Sequence, residues 1–202
     1  MSIESKAIGL LMADPKEFFQ HYMVTIAGYS NRAAGPTRFR MFLNPGTKTG
    51  PAKFMLQKCA NPDPGDGTCA HDELIAFYVP MLDAGAAYSQ ASLPATGGPD
   101  FMVTSQLTGC SFGHFAGAGG TMVTHLQPGQ GRSFPDNDAL IRKNMGAGAH
   151  IMSQSAGYNF LEDAVTVVGK RVSGIWSFYA QNQRKQRCSV DARELVKPIT
   201  AF

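Results

Sequence analysis

Two residues able to act as a nucleophile and its base, Cys110 and His125, stand equidistant from a glycine-rich stretch, Gly117-Ala-Gly-Gly120. Their midpoint falls between Gly117 and Ala118. A chain reversal there, between strands over 110–116 and 119–125, sets them directly opposite each other. Opposed residues of an antiparallel pair hold their Cβ atoms about 4.5–5.5 Å apart, close enough for a thiol to meet an imidazole. Such a pair does nucleophilic chemistry: the thiolate attacks, and a neighbouring imidazolium lowers the thiol's pKa. The spacing leaves a second reading open, because free cysteines are among the most often buried residues and most histidines serve structure.

The other candidates are weaker. His114 shares a strand face with Cys110 if the strand is regular; it could be a competing base, but a solvated strand position is the expectation. Cys59, Cys69 and His71 lack a Cys-x-x-Cys hook and a fourth ligand, so no metal is expected. A disulfide between the two cysteines and a pair of buried thiols both stay open. Cys188 sits among basic residues with no histidine near it in sequence, and Trp176 and Tyr179 read as core and rim packing.

The elements that must position the pair follow from composition and pattern. At 202 residues the chain is most simply one domain, and 22 Gly and 12 Pro with only 16% charged residues favour many short strands over long surface helices. A net charge of +3 is too slight to imply nucleic acid, and no basic stripe carries interleaved aromatics; Arg184, Lys185 and Arg187 read as a solvated strand end. No apolar run could cross a membrane as a helix. Ala7–Ala13 is apolar but follows a single lysine and leads into Asp14-Pro15, so a secretory signal peptide is not expected.

Asp14-Pro15-Lys16-Glu17 starts a helix over about 15–22. Thr37–Leu43 alternates as a half-buried strand ended by Asn44-Pro45-Gly46; Glu73–Pro80 and Phe101–Gln106 are further strands, and Asn61–Thr68 and Ala91–Asp100 read as loops. Asn137–Met145 reads as a helix with Asp136 before it and Gly146 as its stop. Two late strands, Ala164–Val168 and Val172–Gln181, are separated by Gly169-Lys170-Arg171, and Asp191–Lys197 makes a last helical turn or two, closed by Pro198. The expected fold is α+β: a β-sandwich of mostly antiparallel and mixed sheets, flanked by short helices and long loops.

The segment Leu107-Thr-Gly-Cys110 matches a Leu-Ser/Thr-Gly-Cys motif, with Thr104 six residues before the cysteine and Phe115-Ala-Gly-Ala-Gly-Gly120 leading into the strand of His125. With Phe42-Leu-Asn-Pro45 upstream, this set resembles the glutamine deamidase toxins typified by Burkholderia lethal factor. More distantly it is similar to the catalytic domain of cytotoxic necrotizing factor and to the chemoreceptor glutamine deamidases. The resemblance covers roughly residues 100–127, with weaker support from 38–50 and 164–182. The gap from cysteine to histidine is longer than in the lethal factor, and residues 59–71 have no counterpart there.

The resemblance implies hydrolysis of a glutamine side-chain amide in another protein. Cys110 would form a thioester, His125 would pair with the thiolate and then activate water, and Thr104 would orient the imidazole through its hydroxyl or carbonyl. Leu107, Thr108, Gly109 and Ser111 would support the nucleophile and the oxyanion, with the N–H of Cys110 and of a neighbouring residue as candidate donors. No cofactor is implied. The partner would be a target protein bearing a reactive glutamine, with a translation-initiation helicase and a Rho-type small GTPase as the two target classes. The chain is expected to be a monomer, secreted or injected without a cleavable signal and acting in the target cell's cytoplasm. Transglutaminase or cysteine protease activity on the same pair, chemoreceptor deamidation, and a non-enzymatic β-sandwich binding module with Cys110 in its core remain as rivals.

Overall fold

The computed structural model describes residues 2–27, 33–44, 52–59, 73–82, 88–117, 120–129, 133–155, 157–158, 163–184 and 196–199. The chain opens with two helices, α1 (Ile3–Ala13) and α2 (Pro15–His21), followed by strands β1 (Met23–Ile26), β2 (Gly35–Leu43), β3 (Lys53–Lys58) and β4 (Glu73–Val79). Then come β5 (Ala91–Leu93), β6 (Phe101–Thr104), β7 (Ser111–Gly117) and β8 (Gly120–Leu126). Helix α3 (Phe134–Met145) precedes β9 (His150–Met152), β10 (Asp163–Val172), β11 (Ile175–Arg184) and β12 (Val196–Ile199). The architecture is α+β: an eight-stranded mixed sheet in the order β1-β3-β2-β4-β6-β10-β11-β12, and a four-stranded antiparallel sheet in the order β5-β8-β7-β9.

Asp14 both stops α1 and starts α2. Its N–H reaches Leu10 O at 2.8 Å, its carboxylate accepts the Glu17 N–H at 3.0 Å, and Pro15 occupies the first turn, where no N–H is missed. Capping residues announce α2, whereas α1 was not expected; its Ala7, Ile8 and Leu11 are buried with Phe18 and Phe19 in one core. The large sheet curls around that core. Its first strand meets side chains from the far strands: Thr166 and Gln183 donate to Val24 O at 2.6 and 2.7 Å, and the Val24 N–H reaches Gln181 Oε1 at 3.3 Å. Buried polar side chains thereby satisfy an edge strand's backbone that lacks a ladder partner there.

A second core fills the space between the sheets, with Phe112, Val123 and Met152 from the small sheet against Met102, Val165, Val167 and Phe178 from the large one. Helix α3 covers the outer face of the small sheet. It packs so closely that a Cβ on Gly113 would lie 2.6 Å from Ile141 Cγ2.

Several boundaries differ from the sequence expectation. Gly169-Lys170-Arg171 is strand, paired with Trp176, Ser177 and Phe178; the reversal falls at Ser173-Gly174, with φ of 50° and 83°, the paired positive values of a two-residue type I′ turn. Ala91–Leu93 is a strand inside the expected loop, paired with β8. Val196–Ile199 is a strand where a helical turn was expected, and Pro198 lies within it opposite Gln181, tolerated because β12 is an edge. Helix α3 starts a few residues early, capped by Ser133, and Asp136 is its capping-box partner, not the residue before it. The expected loop over 61–68, Pro45-Gly46, Lys185, Arg187 and residues 191–195 lie outside the described residues. Among the described residues no helix is long and apolar enough to cross a membrane.

Candidate active site

Strands β7 and β8 form the expected hairpin, but in a shifted register. His125 stands opposite Phe112, and the ladder runs on to Gly117 opposite Gly120. Cys110 and His125 are therefore not directly opposed, as equal spacing about the glycines had suggested. Cys110 lies just before β7, two residues from His125's partner. Because side chains alternate with a period of two, it stays on the histidine's face, in the inter-sheet core with Phe112 and Val123. Diagonal neighbours in a regular ladder lie about 7–8 Å apart, farther than a hydrogen bond.

The histidine is held from the large sheet. Thr104 ends β6 beside the end of the parallel strand β4, and its Oγ1 lies 2.7 Å from Val79 O and 2.6 Å from His125 Nδ1. A hydroxyl has one proton, and the Val79 carbonyl can only accept it. Thr104 Oγ1 must then accept from His125, which puts the imidazole proton on Nδ1 and leaves the lone pair on Nε2. Nε2 is buried and has no hydrogen-bond partner among the described residues. Ser105 Oγ adds a longer approach to Nδ1 at 3.4 Å, and His125 O accepts the Leu82 N–H at 2.9 Å. A buried base with a fixed tautomer and an unused lone pair is the chemical core of the site.

Cys110 is 4% exposed and His125 is fully buried. The thiol donates to Met81 Sδ at 3.5 Å and does not bond the imidazole. Burial pushes the Cys110 thiol up to about 11, against a smaller opposing pull from the Thr108 backbone N–H, and burial pushes His125 down to about 3. At neutral pH the two groups are a neutral thiol and a neutral imidazole, not the standing thiolate–imidazolium pair that direct opposition would give.

The motif residues around the nucleophile divide by face. Leu107 exchanges both backbone bonds with Val165, at 2.8 and 2.9 Å, and anchors the segment to the large sheet. Thr108 turns its N–H toward the sulfur. Gly109, at a φ of 126° that favours glycine, gives its N–H to Tyr158 Oη at 3.0 Å, so that donor is engaged. Ser111 points to the opposite face, donating to Asp138 at 3.2 Å beneath α3, and is not part of the pocket.

His114 is not solvated as expected. It is 7% exposed, stacked 4.2 Å from Phe178 of the large sheet and 5.0 Å from His150, and burial with the neighbouring His150 pushes it down to about 4. Trp176 and Tyr179 are buried and half-buried as expected, Trp176 donating to Pro94 O at 2.9 Å. The Cys59 thiol donates to Glu73 at 3.5 Å; Cys69, His71 and Cys188 lie outside the described residues.

A cavity of about 200 Å³ is lined in part by His125, together with Pro80, Leu82, Gln90 and Thr124. At about 30 Å³ per water it has room for several waters or a carboxamide. It touches His125 and not Cys110.

Three contributors escaped the sequence reading. Met81 and the Val79 carbonyl come from the end of β4, and Tyr158 from the segment after β9. Nothing in the sequence pointed to Met81 or Tyr158, since both are distant in sequence from the motif they touch. No protein-family model matches this chain, and no curated protein matches it in sequence.

Proposed function

We propose that this chain is a protein-glutamine deamidase in which Cys110 is the nucleophile and His125 the base. The observation that carries the reading is the Thr104 relay: one hydroxyl held by Val79 O dictates the tautomer of a buried imidazole whose Nε2 has no partner among the described residues. The large majority of buried polar side-chain atoms have a hydrogen-bond partner, so an orphaned nitrogen calls for an explanation, and a catalytic role is one. The motif resemblance around Cys110 supplies the substrate class.

The chemistry starts from neutral groups. As Sγ bonds the carboxamide carbon, its proton passes to Nε2, and the carbonyl oxygen becomes an oxyanion. Collapse breaks the C–N bond, and ammonia leaves with that proton. Water then attacks the thioester as Nε2 takes its proton, sulfur departs as the thiol, and glutamate is released. The Cys110 N–H is the candidate oxyanion donor, because the neighbouring Gly109 N–H is engaged by Tyr158. For this sequence the thiol must swing from Met81 toward the imidazole as the substrate enters.

On this reading the partner is a target protein whose glutamine gains a permanent negative charge, of the translation-initiation helicase or small GTPase class. The protein would be secreted or injected and act in the target cell's cytoplasm. The test is expression of wild type and Cys110→Ser in a eukaryotic cell, followed by a proteome-wide search for glutamine-to-glutamate conversion. A protein heavier by about 1 Da with the wild type alone marks deamidation, a larger adduct marks amine transfer, and cleavage marks proteolysis. Equal profiles remove the proposal.

A second reading rests on the burial of Cys110 within the inter-sheet core and its raised pKa. In that reading the chain is a binding module, and Cys110→Ala leaves every partner interaction intact.

A further inference from the structure

Tyr158 is 5% exposed and uses its one hydroxyl twice. It accepts the Gly109 N–H at 3.0 Å and donates to Cys110 O at 2.6 Å. These groups belong to the peptides on either side of the Gly109–Cys110 peptide, the unit that carries the Cys110 N–H. The clamp falls at a glycine with a φ of 126°, where the backbone is otherwise freest to swing.

The segment bearing Tyr158 is itself tied down. Its N–H bonds Ser153 O at 3.2 Å, and the hydroxyls of Ser153 and Ser155 donate to Asp138 Oδ2 at 2.8 and 2.6 Å. The other oxygen of the same carboxylate takes the hydroxyl of Ser111, the residue after the nucleophile, at 3.2 Å. One carboxylate on α3 thus fixes the tyrosine's segment and the chain it clamps relative to each other.

We infer that Tyr158, anchored through Asp138, is a positioning residue that aims the Cys110 N–H at the oxyanion. The inference rests on Cys110 acting as an acyl acceptor, as proposed above, and adds to it the group that pre-organises the oxyanion donor. A donor held in place before reaction is where electrostatic catalysis gets its size.

Two reagents separate this role from a merely structural one. Acylation of Cys110 by p-nitrophenyl acetate joins sulfur to the acetyl carbon through a tetrahedral oxyanion, expels p-nitrophenolate and sends the thiol proton to His125. Alkylation by iodoacetamide displaces iodide at a saturated carbon and forms no oxyanion. In Tyr158→Phe the ratio of acylation to alkylation rate should fall about tenfold or more, with alkylation near wild type. Asp138→Asn should lower the ratio in the same direction by less, and it carries the test if Tyr158→Phe does not fold. Trp176 emission at the wild-type wavelength reports an intact sheet interface.

An unchanged ratio in both variants overturns the inference, as does a parallel fall of both rates. If the wild type acylates no faster than Cys110→Ser, the deamidase reading fails and this inference with it. Normal wild-type acylation with an unchanged ratio removes the role of Tyr158 alone.

Discussion

Replacing Thr104 with valine tests the hydrogen bond on which the site depends. The side chain keeps its shape and loses its hydroxyl, so the Val79 carbonyl and the His125 Nδ1–H lose this partner together, and only the longer approach of Ser105 Oγ remains at Nδ1. Each buried unsatisfied group costs about 1–3 kcal/mol, so the summed loss is roughly 2–6 kcal/mol. For a domain of this size, each kcal/mol moves Tm by about 2–4 °C, so a fall of the order of 10 °C is expected. The urea midpoint should drop with an unchanged m-value, because the surface exposed on unfolding is the same. A double-mutant cycle then assigns the partner. In a His125→Phe background, Thr104→Val should cost about 1–2 kcal/mol less, since only the Val79 carbonyl remains to be stranded. A single variant within about 0.5 kcal/mol of wild type, or a coupling energy of zero, would refute the relay and with it the tautomer assignment.

Acid should destabilise the fold through its buried imidazoles. His114 and His125 titrate at about 4 and about 3 in the fold, below the ordinary 6.5. Their neutral forms thus contribute stability that is full above 6.5 and is lost as pH falls toward those values. The slope approaches about 1.4 kcal/mol per pH unit for each. Urea midpoints followed by Trp176 emission should fall between pH 7 and pH 4.5, less steeply in His114→Phe; a flat profile contradicts the burial argument. Alkylation of Cys110 should be slow at pH 7 and climb about tenfold per pH unit toward 11, since only the thiolate reacts. A plateau near the ordinary thiol pKa would show a more solvated sulfur. Gly113→Ala should cost about 1–3 kcal/mol, because the new methyl meets Cγ2 of Ile141 on α3, and the added cost should shrink in an Ile141→Ala background, where that atom is gone. Equal stability of Gly113→Ala and wild type would mean that α3 does not press on this sheet.

Much of the scaffold was legible because its signals are local. Asp14-Pro15 declares a helix start through capping geometry, the alternation of Phe39 and Met41 with Arg38 and Arg40 declares a half-buried strand, and the glycine run declares the β7–β8 reversal. The misread turn shows where local signals stop. Gly169 looked like a breaker, yet it sits mid-strand, packed flat beneath Phe178, where a Cβ would meet the ring at 3.1 Å. Only a neighbouring strand makes a glycine necessary there, and that neighbour is not local.

Residue identity and pattern alone marked out the reactive groups and the strand face they share. The period-two alternation of a hairpin keeps Cys110 on the side of His125 whichever even register forms, and Thr104 stands at the end of its own strand. Tertiary structure decided how those groups meet and in what charge state. The large sheet presses Thr104 and Val79 against the imidazole, Met81 takes the thiol, and the packing that excludes water holds both groups neutral. Desolvation and hydrogen-bond direction arise from atoms far apart along the chain, so no spacing within the motif could carry them.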